Sequence, residues 1–210
     1  MIIGSLDVGI YNLSYSIIEI IKKQDPSGND VEPVVKILKW DCIEIANRES
    51  MKKDKEHVLI NMPLVLDGIT DFHNCDVILI ENQPCMKNPI MKKIQSHLHA
   101  YYIIKGFHNK DSKINLIKPI NACNKLKVYD GPELDIKQCK SAYAMRKKYA
   151  VEHCKYFLEM YGENDYMEHY MKQNKKDDYA DCYLQALYYF NTAILGKKLT
   201  KKRKKKTVKS

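Results

Sequence analysis

No apolar run in the chain approaches the roughly 20 residues that a membrane-spanning helix needs, and no basic, signal-like region precedes its first apolar segment. A soluble, intracellular protein with no membrane attachment is the expectation. A disulfide framework is lacking too: the seven cysteines are odd in number and no two stand as a CxxC pair. That argues against a stapled secreted scaffold and against a paired-thiolate zinc site, and leaves the thiols as reduced packing groups. The seven histidines are scattered, and the closest pair, His97 and His99, stand two apart and so do not share a helix face. There is no internal repeat, and the last fourteen residues contain no acid.

What is present is enough for one domain with a real core: 210 residues, 45% hydrophobic. The net charge is +9, but its distribution says more than its sum. Residues 1–85 carry 8 basic and 14 acidic side chains, residues 86–155 carry 15 and 5, residues 156–196 carry 3 and 7, and residues 197–210 carry 9 and 0. The first 196 residues are therefore neutral as a whole, with a basic middle set between acidic ends. A surface that grips phosphates beside a cluster that binds cations has this polarity.

The β-branched runs Ile2–Val8 and Tyr11–Ile21, broken at Gly9, read as a hairpin, and Val34–Ile45 reads as a third strand. Gln24–Val31, with Pro26, Ser27 and Gly28, reads as a loop. A helical spacing of apolar residues runs from about Asp54 to His73, with Pro63 kinking or starting it. Asp76–Glu81 is a short apolar run bounded by polar residues, as expected of a buried central strand. Residues 90–105 read as a helix after Pro89, Ile114–Ile117 as a strand ending at Pro119, and roughly Gln138–Tyr161 as a long helix stopped by Gly162. Polar residues 163–176 connect to a last helix, Asp177–Leu195, ended by Gly196. The order β-β-β-α-β-α-β-α-α implies an α/β fold, a mixed sheet flanked by helices. Residues 197–210 have no apolar periodicity, so the expectation is a domain over 1–196 and a disordered basic tail.

Asp7 and Glu81 each end an otherwise apolar strand, where burying a charge is costly unless a cation or hydrogen bonds compensate it. If those strands are neighbours, their C-terminal ends bring both carboxylates to one edge, where open α/β sheets bind ligands. Asp177, Asp178 and Asp181 open the last helix, and spacings of three and four place two of them on one face. The plain alternative for these three is acid–dipole capping of a helix start. Together the acids suit hard divalent cations, which take oxygen ligands; two such ions about 4 Å apart drive in-line phosphodiester hydrolysis without a nucleophilic Ser or Cys.

The run Ser5-Leu-Asp7-Val-Gly9-Ile-Tyr-Asn12-Leu-Ser14 resembles the first-strand signature of RNase H-like nucleases. Glu81-Asn-Gln83-Pro, with Asn88-Pro-Ile-Met-Lys-Lys-Ile-Gln95 and Tyr101-Tyr102, resembles the glutamate motif of the resolvases of poxviruses, iridoviruses and fungal mitochondria, the family related to bacterial RuvC. Lys175-Lys-Asp-Asp178-Tyr-Ala-Asp181-Cys-Tyr-Leu-Gln185 resembles their terminal helix. The resemblance covers residues 1–195, with the three motifs in order on the expected elements.

It implies an RNase H-like, RuvC-like five-stranded mixed sheet and a Holliday-junction resolvase that nicks four-way DNA junctions as a two-fold homodimer. It implies Mg²⁺, with Mn²⁺ substituting, held by Asp7, Glu81, Asp178 and Asp181, with Asp178 favoured over Asp177 by the family's spacing. A lysine near the scissile phosphate is implied within Lys118-Pro-Ile-Asn-Ala-Cys-Asn-Lys125-Leu-Lys127; of Lys125 and Lys127, Lys127 is preferred. Arg146, Lys147 and Lys148 look like the basic start of the family's third helix, which contacts the DNA backbone. The tail could add phosphate contacts, act as a nuclear import signal, or merely solubilise. Rival readings are a ribonuclease acting on RNA–DNA hybrids or an exonuclease on the same fold, and a non-catalytic DNA-binding protein.

Overall fold

The computed structural model describes residues 1–199 except 55, 85, 87, 137, 138 and 140, and the backbone only of residues 30 and 32. The body of the expected tail, residues 200–210, lies outside the described residues.

Three antiparallel strands, β1 (Ile2–Val8), β2 (Asn12–Gln24) and β3 (Asp30–Glu44), open the chain. The turn after β1 needs Gly9, because a Cβ there would run into the carbonyl oxygen of Asn12. β2 and β3 pair as far as Gln24 and Asp30, so the expected loop at 24–31 is mostly the outer end of a long hairpin. A short helix, α1 (Arg48–Lys53), precedes the helix expected at 54–73, which is instead α2 (His57–Asp67) and a 3₁₀ turn (Thr70–Asn74). Apolar spacing continues across the break because both pieces cover one face of the sheet. Pro63 lies inside α2 rather than starting it.

β4 (Val77–Asn82) then runs parallel to β1, and α3 (Pro89–Tyr101) follows, continued by a π-helical turn over Tyr102–Phe107. β5 (Leu116–Asn121) is parallel to β4 and includes Pro119, which an edge strand tolerates because one side of it has no ladder to donate to. The sheet order β3-β2-β1-β4-β5 makes it a five-stranded mixed sheet, as expected. Helices α4 (Ala142–Tyr161), α5 (Asn164–Lys172) and α6 (Lys176–Tyr189) complete the fold. Ser141 caps α4 by accepting from the Ala144 amide, and Gly162 ends it in the left-handed conformation; Gln138, the expected start, lies outside the described residues.

α5 falls where a polar connector was expected. Its anchors are aromatic: Tyr170 stacks on Trp40 at 5.1 Å, and Tyr166 donates to the Leu38 carbonyl of β3. Two cores result, one on each sheet face. Ile3, Val77 and Leu79 pack under α4 and α6, while Leu6, Val8, Ile78 and Ile80 pack under α2 and α3. No helix among the described residues is long and apolar enough to cross a membrane.

Candidate active site

Strand alternation decides which face each acid takes. With Ile3 on the α6 side and Leu6 and Val8 on the other, Ser5 and Asp7 face α6; by the same alternation in β4, Glu81 follows Leu79. Leu6 pairs with Ile80 in the parallel ladder, so Asp7 and Glu81 stand one step further along, at the C-terminal end of both strands.

Buried Gln185 docks α6 onto this surface, its Nε2 donating to Ser5 Oγ at 3.1 Å and to the Leu6 carbonyl at 3.3 Å. Asp181 lies one helical turn before Gln185 and Asp7 two residues beyond Ser5, so the same contact brings these two acids together. Gln185 closes the terminal-helix motif but had no role assigned from sequence, although a polar residue amid the apolar stripe of α6 was the available signal.

A 3₁₀ turn, Ala122–Lys127, leaves β5 and drives the Lys125 side chain into the cluster, where it is 4% exposed. Its ammonium lies 2.7 Å from Asp7 Oδ1, 3.0 Å from Asp181 Oδ2 and 3.5 Å from Glu81 Oε1. Lys127, the lysine preferred from sequence, donates instead to Asn124 Oδ1 at 2.7 Å. Two positions apart in a turn of three residues per rotation, the two lysines cannot point the same way.

The electrostatics follow from burial. Burial pushes the Glu81 carboxyl up to about 9, reinforced by the adjacent Asp7, with which it shares a hydrogen bond. Burial acts on Asp7 in the same sense, but Lys125 and the Glu81 hydrogen bond hold it below its ordinary value. For Lys125, burial is outweighed by Asp7, Asp181 and Glu81, which keep the ammonium charged. Burial raises Asp181 to about 6 against the pull of Lys125, and raises Asp178 to about 6 with help from Asp177 and Asp7. Asp177 points elsewhere, into an ion pair with Lys147, whose ammonium also lies 5.1 Å from the Tyr143 ring centre.

Among the described residues, no three acidic, histidine or cysteine side chains stand together as a ready metal cage; the acids are gathered about an ammonium. One fixed positive charge stands against three carboxylates, so the cluster is short of positive charge. An all-oxygen donor set short of positive charge fits a hard divalent cation. Beside it, Arg146, Lys147 and Lys148 occupy the first turns of α4, and a cleft of about 450 Å³ opens between Leu134, Ile136, Val151, Lys147, Lys148 and Asp177.

Fold and site together define an RNase H-like α/β protein with a carboxylate cluster at the C-terminal edge of its central strands. Residues 1–197 match the family described as Poxvirus A22 protein, and the chain belongs to that family. An uncharacterised protein of Acanthamoeba polyphaga mimivirus is 38% identical over 120 residues, 53% of this chain and 28% of its own length, so the match spans little more than a quarter of that relative.

Three solved structures share the fold. The fowlpox virus resolvase in complex with substrate Holliday junction DNA is 22% identical, with TM-score 0.55, and the match covers 92% of this chain and 99% of that one. Thermus thermophilus RuvC is 10% identical, with TM-score 0.56 and coverages of 93% and 97%. The yeast mitochondrial Holliday junction resolvase is 18% identical, with TM-score 0.53 and coverages of 89% and 78%.

Proposed function

We propose that this protein is a Holliday-junction resolvase, an Mg²⁺-dependent endonuclease that nicks four-way DNA junctions. The observation that carries the reading is the convergence of Asp7, Glu81 and Asp181 on the Lys125 ammonium at one sheet edge, on a fold shared with junction resolvases. Asp7, Glu81, Asp178 and Asp181 would hold the metal, with Mn²⁺ able to replace Mg²⁺. When bound, such ions supply Lewis acidity toward the phosphodiester and ease deprotonation of the attacking water.

The chain's own residues do the rest. Lys125 fixes Asp7 and Asp181 in place and carries a permanent charge toward the phosphate oxygens. Gln185 sets the depth of α6. Arg146, Lys147 and Lys148 grip the DNA backbone, which gives affinity without sequence preference.

Symmetric cutting of a branched substrate requires two such sites, hence a two-fold homodimer. The face of α2 and α3 suits this contact. The helices lie side by side, tied by Glu56 to Lys93 and by Asp67 to Tyr101 and Lys105; α2 exposes Ile60 and Leu64, and the π-helical turn that continues α3 exposes Ile104 and Phe107.

The test is cleavage of a labelled four-way junction, a plain duplex and an RNA–DNA hybrid in Mg²⁺ and Mn²⁺. Paired nicks in the junction, abolished by Asp181→Asn without loss of junction binding, are expected. Preferential cutting of the hybrid would point to a ribonuclease, and binding without cutting by the wild type to a non-catalytic protein.

A further inference from the structure

One lysine at the same sheet edge has no acidic partner among the described residues and yet is held in place. Lys92, on α3, donates to Gln95 Oε1 at 2.9 Å and to Asn82 Oδ1 at 3.3 Å. Buried Gln95 is itself fixed, because the same oxygen accepts the Gln83 backbone N–H at 2.9 Å. Asn82 is fixed as well: its Nδ2 donates to Asn121 Oδ1 at 3.0 Å, across the paired last residues of β4 and β5. None of the ion pairs among the described residues includes Lys92.

An ammonium has three donors and one full charge. Two donors here go to neutral amide oxygens, which orient the group without neutralising it. The side chain has therefore already given up much of its rotational freedom, the usual cost of ordering a lysine on an anion. Its place matters as much as its charge. Asn82 directly follows Glu81, so strand alternation turns it to the α3 side while Glu81 faces Lys125 on the α6 side. Lys92 and Lys125 thus flank the end of β4, one on each face.

We propose that Lys92, with the exposed amide of Asn121, forms a second phosphate-binding site that receives a backbone phosphate of the DNA strand lying across the ends of β4 and β5. Lys92 is then a positioning residue: it holds the strand while the chemistry takes place on the other side of Glu81. This rests on the nuclease reading given above. A lysine that merely tethers Gln95 would serve the fold alone, and the two roles differ in how binding responds to salt.

The experiment uses full-length protein and a fluorescein-labelled four-way junction in EDTA, with affinity followed by anisotropy from 50 to 200 mM NaCl. Removing one phosphate contact lowers the slope of log affinity against log salt by about 0.9. Lys92→Gln should show that loss of slope together with several-fold weaker binding in low salt, and Lys92→Arg, which keeps the charge, should retain the wild-type slope. Melting curves of both variants should match the wild type, because Gln95 and Asn82 keep a hydrogen-bonding neighbour. Wild-type slope and affinity in Lys92→Gln, with a wild type that binds and cuts the junction, would overturn the phosphate site and leave the nuclease reading standing. A wild type that does not bind branched DNA at all would overturn both.

Discussion

Lys125 Nζ and Asp7 Oδ1 lie 2.7 Å apart although 118 positions separate the two residues in the chain. The contact joins the end of the first strand to the turn after the fifth, so it closes only when the whole parallel half of the sheet is formed. Breaking a buried ion pair from one side leaves an uncompensated charge, at about 3–5 kcal/mol. Lys125→Met should destabilise the metal-free protein by roughly that amount in denaturant titrations. It should also abolish junction cleavage. A variant with wild-type stability would mean that the acids do not depend on this ammonium.

Asp177 and Asp178 are neighbours with different surroundings. The Asp177 carboxylate is engaged with Lys147, whereas Asp178 is raised to about 6 by burial and by the acids around it. Asp178→Asn should therefore reduce cleavage by at least about two orders of magnitude, as loss of an electrostatic group in the transition state does. Asp177→Asn should cost less than about tenfold, chiefly through junction affinity as Lys147 loses its anchor. Single-turnover cleavage beside binding measurements separates the two effects. The reverse ranking would move the metal-binding role from Asp178 to Asp177.

Gln185 is a buried side chain with a structural task at the site. Gln185→Met keeps its volume and removes the hydrogen bonds to Ser5 Oγ and the Leu6 carbonyl. Leaving Ser5 without this donor should cost about 1–3 kcal/mol, read from the denaturation midpoint. Cleavage should fall by more than the folded fraction does, because α6 carries Asp178 and Asp181.

How far the site could be read from sequence depended on the kind of element carrying each residue. Asp7 and Glu81 were legible because a strand has a period of two and an acid ending an apolar run stands out. Asp181 was legible from helical spacing. Lys125 against Lys127 was not, since a single 3₁₀ turn has no repeating pattern from which to phase its faces. The same holds for α5, whose burial depends on Tyr166 and Tyr170 meeting Trp40, a partner more than 120 residues away in sequence. The long helix expected over 54–73 failed for the opposite reason: its apolar spacing is real, but it serves two short pieces lying on one face.

The exposed apolar residues of α2 and of the turn that continues α3 carry a prediction about assembly. Leu64 and Ile104 are 69% and 66% exposed, and they are well placed to be covered by a second copy of the chain. Leu64→Glu combined with Ile104→Glu puts two charges of one sign into each half of a symmetric contact, doubled by the two-fold axis. Light scattering should show the variant as a monomer that retains its fold, and paired nicking should give way to single nicks. A wild type that is monomeric at micromolar concentration would remove this interface.

His153 gives the fold a pH dependence that is separate from the acids. It is buried on α4, its ring stacked on Tyr129 at 4.1 Å and 4°, and its Nδ1 has no hydrogen-bond partner among the described residues. Burial lowers it from 6.5 to about 4. Between those values the unfolded chain binds a proton that the native state refuses, so stability is fully present above about pH 6.5 and is lost as the pH falls toward 4, with no further loss from this group below that. Each pH unit across that window removes about 1.4 kcal/mol, so the loss amounts to roughly 3 kcal/mol. His153→Phe keeps the stacking and cannot titrate. Carboxylates contribute equally to both proteins, so the difference between their stability curves isolates the histidine: it should widen by about 3 kcal/mol from pH 7 to pH 4 in favour of the variant. Parallel curves over that range would show that His153 takes up its proton within the native fold.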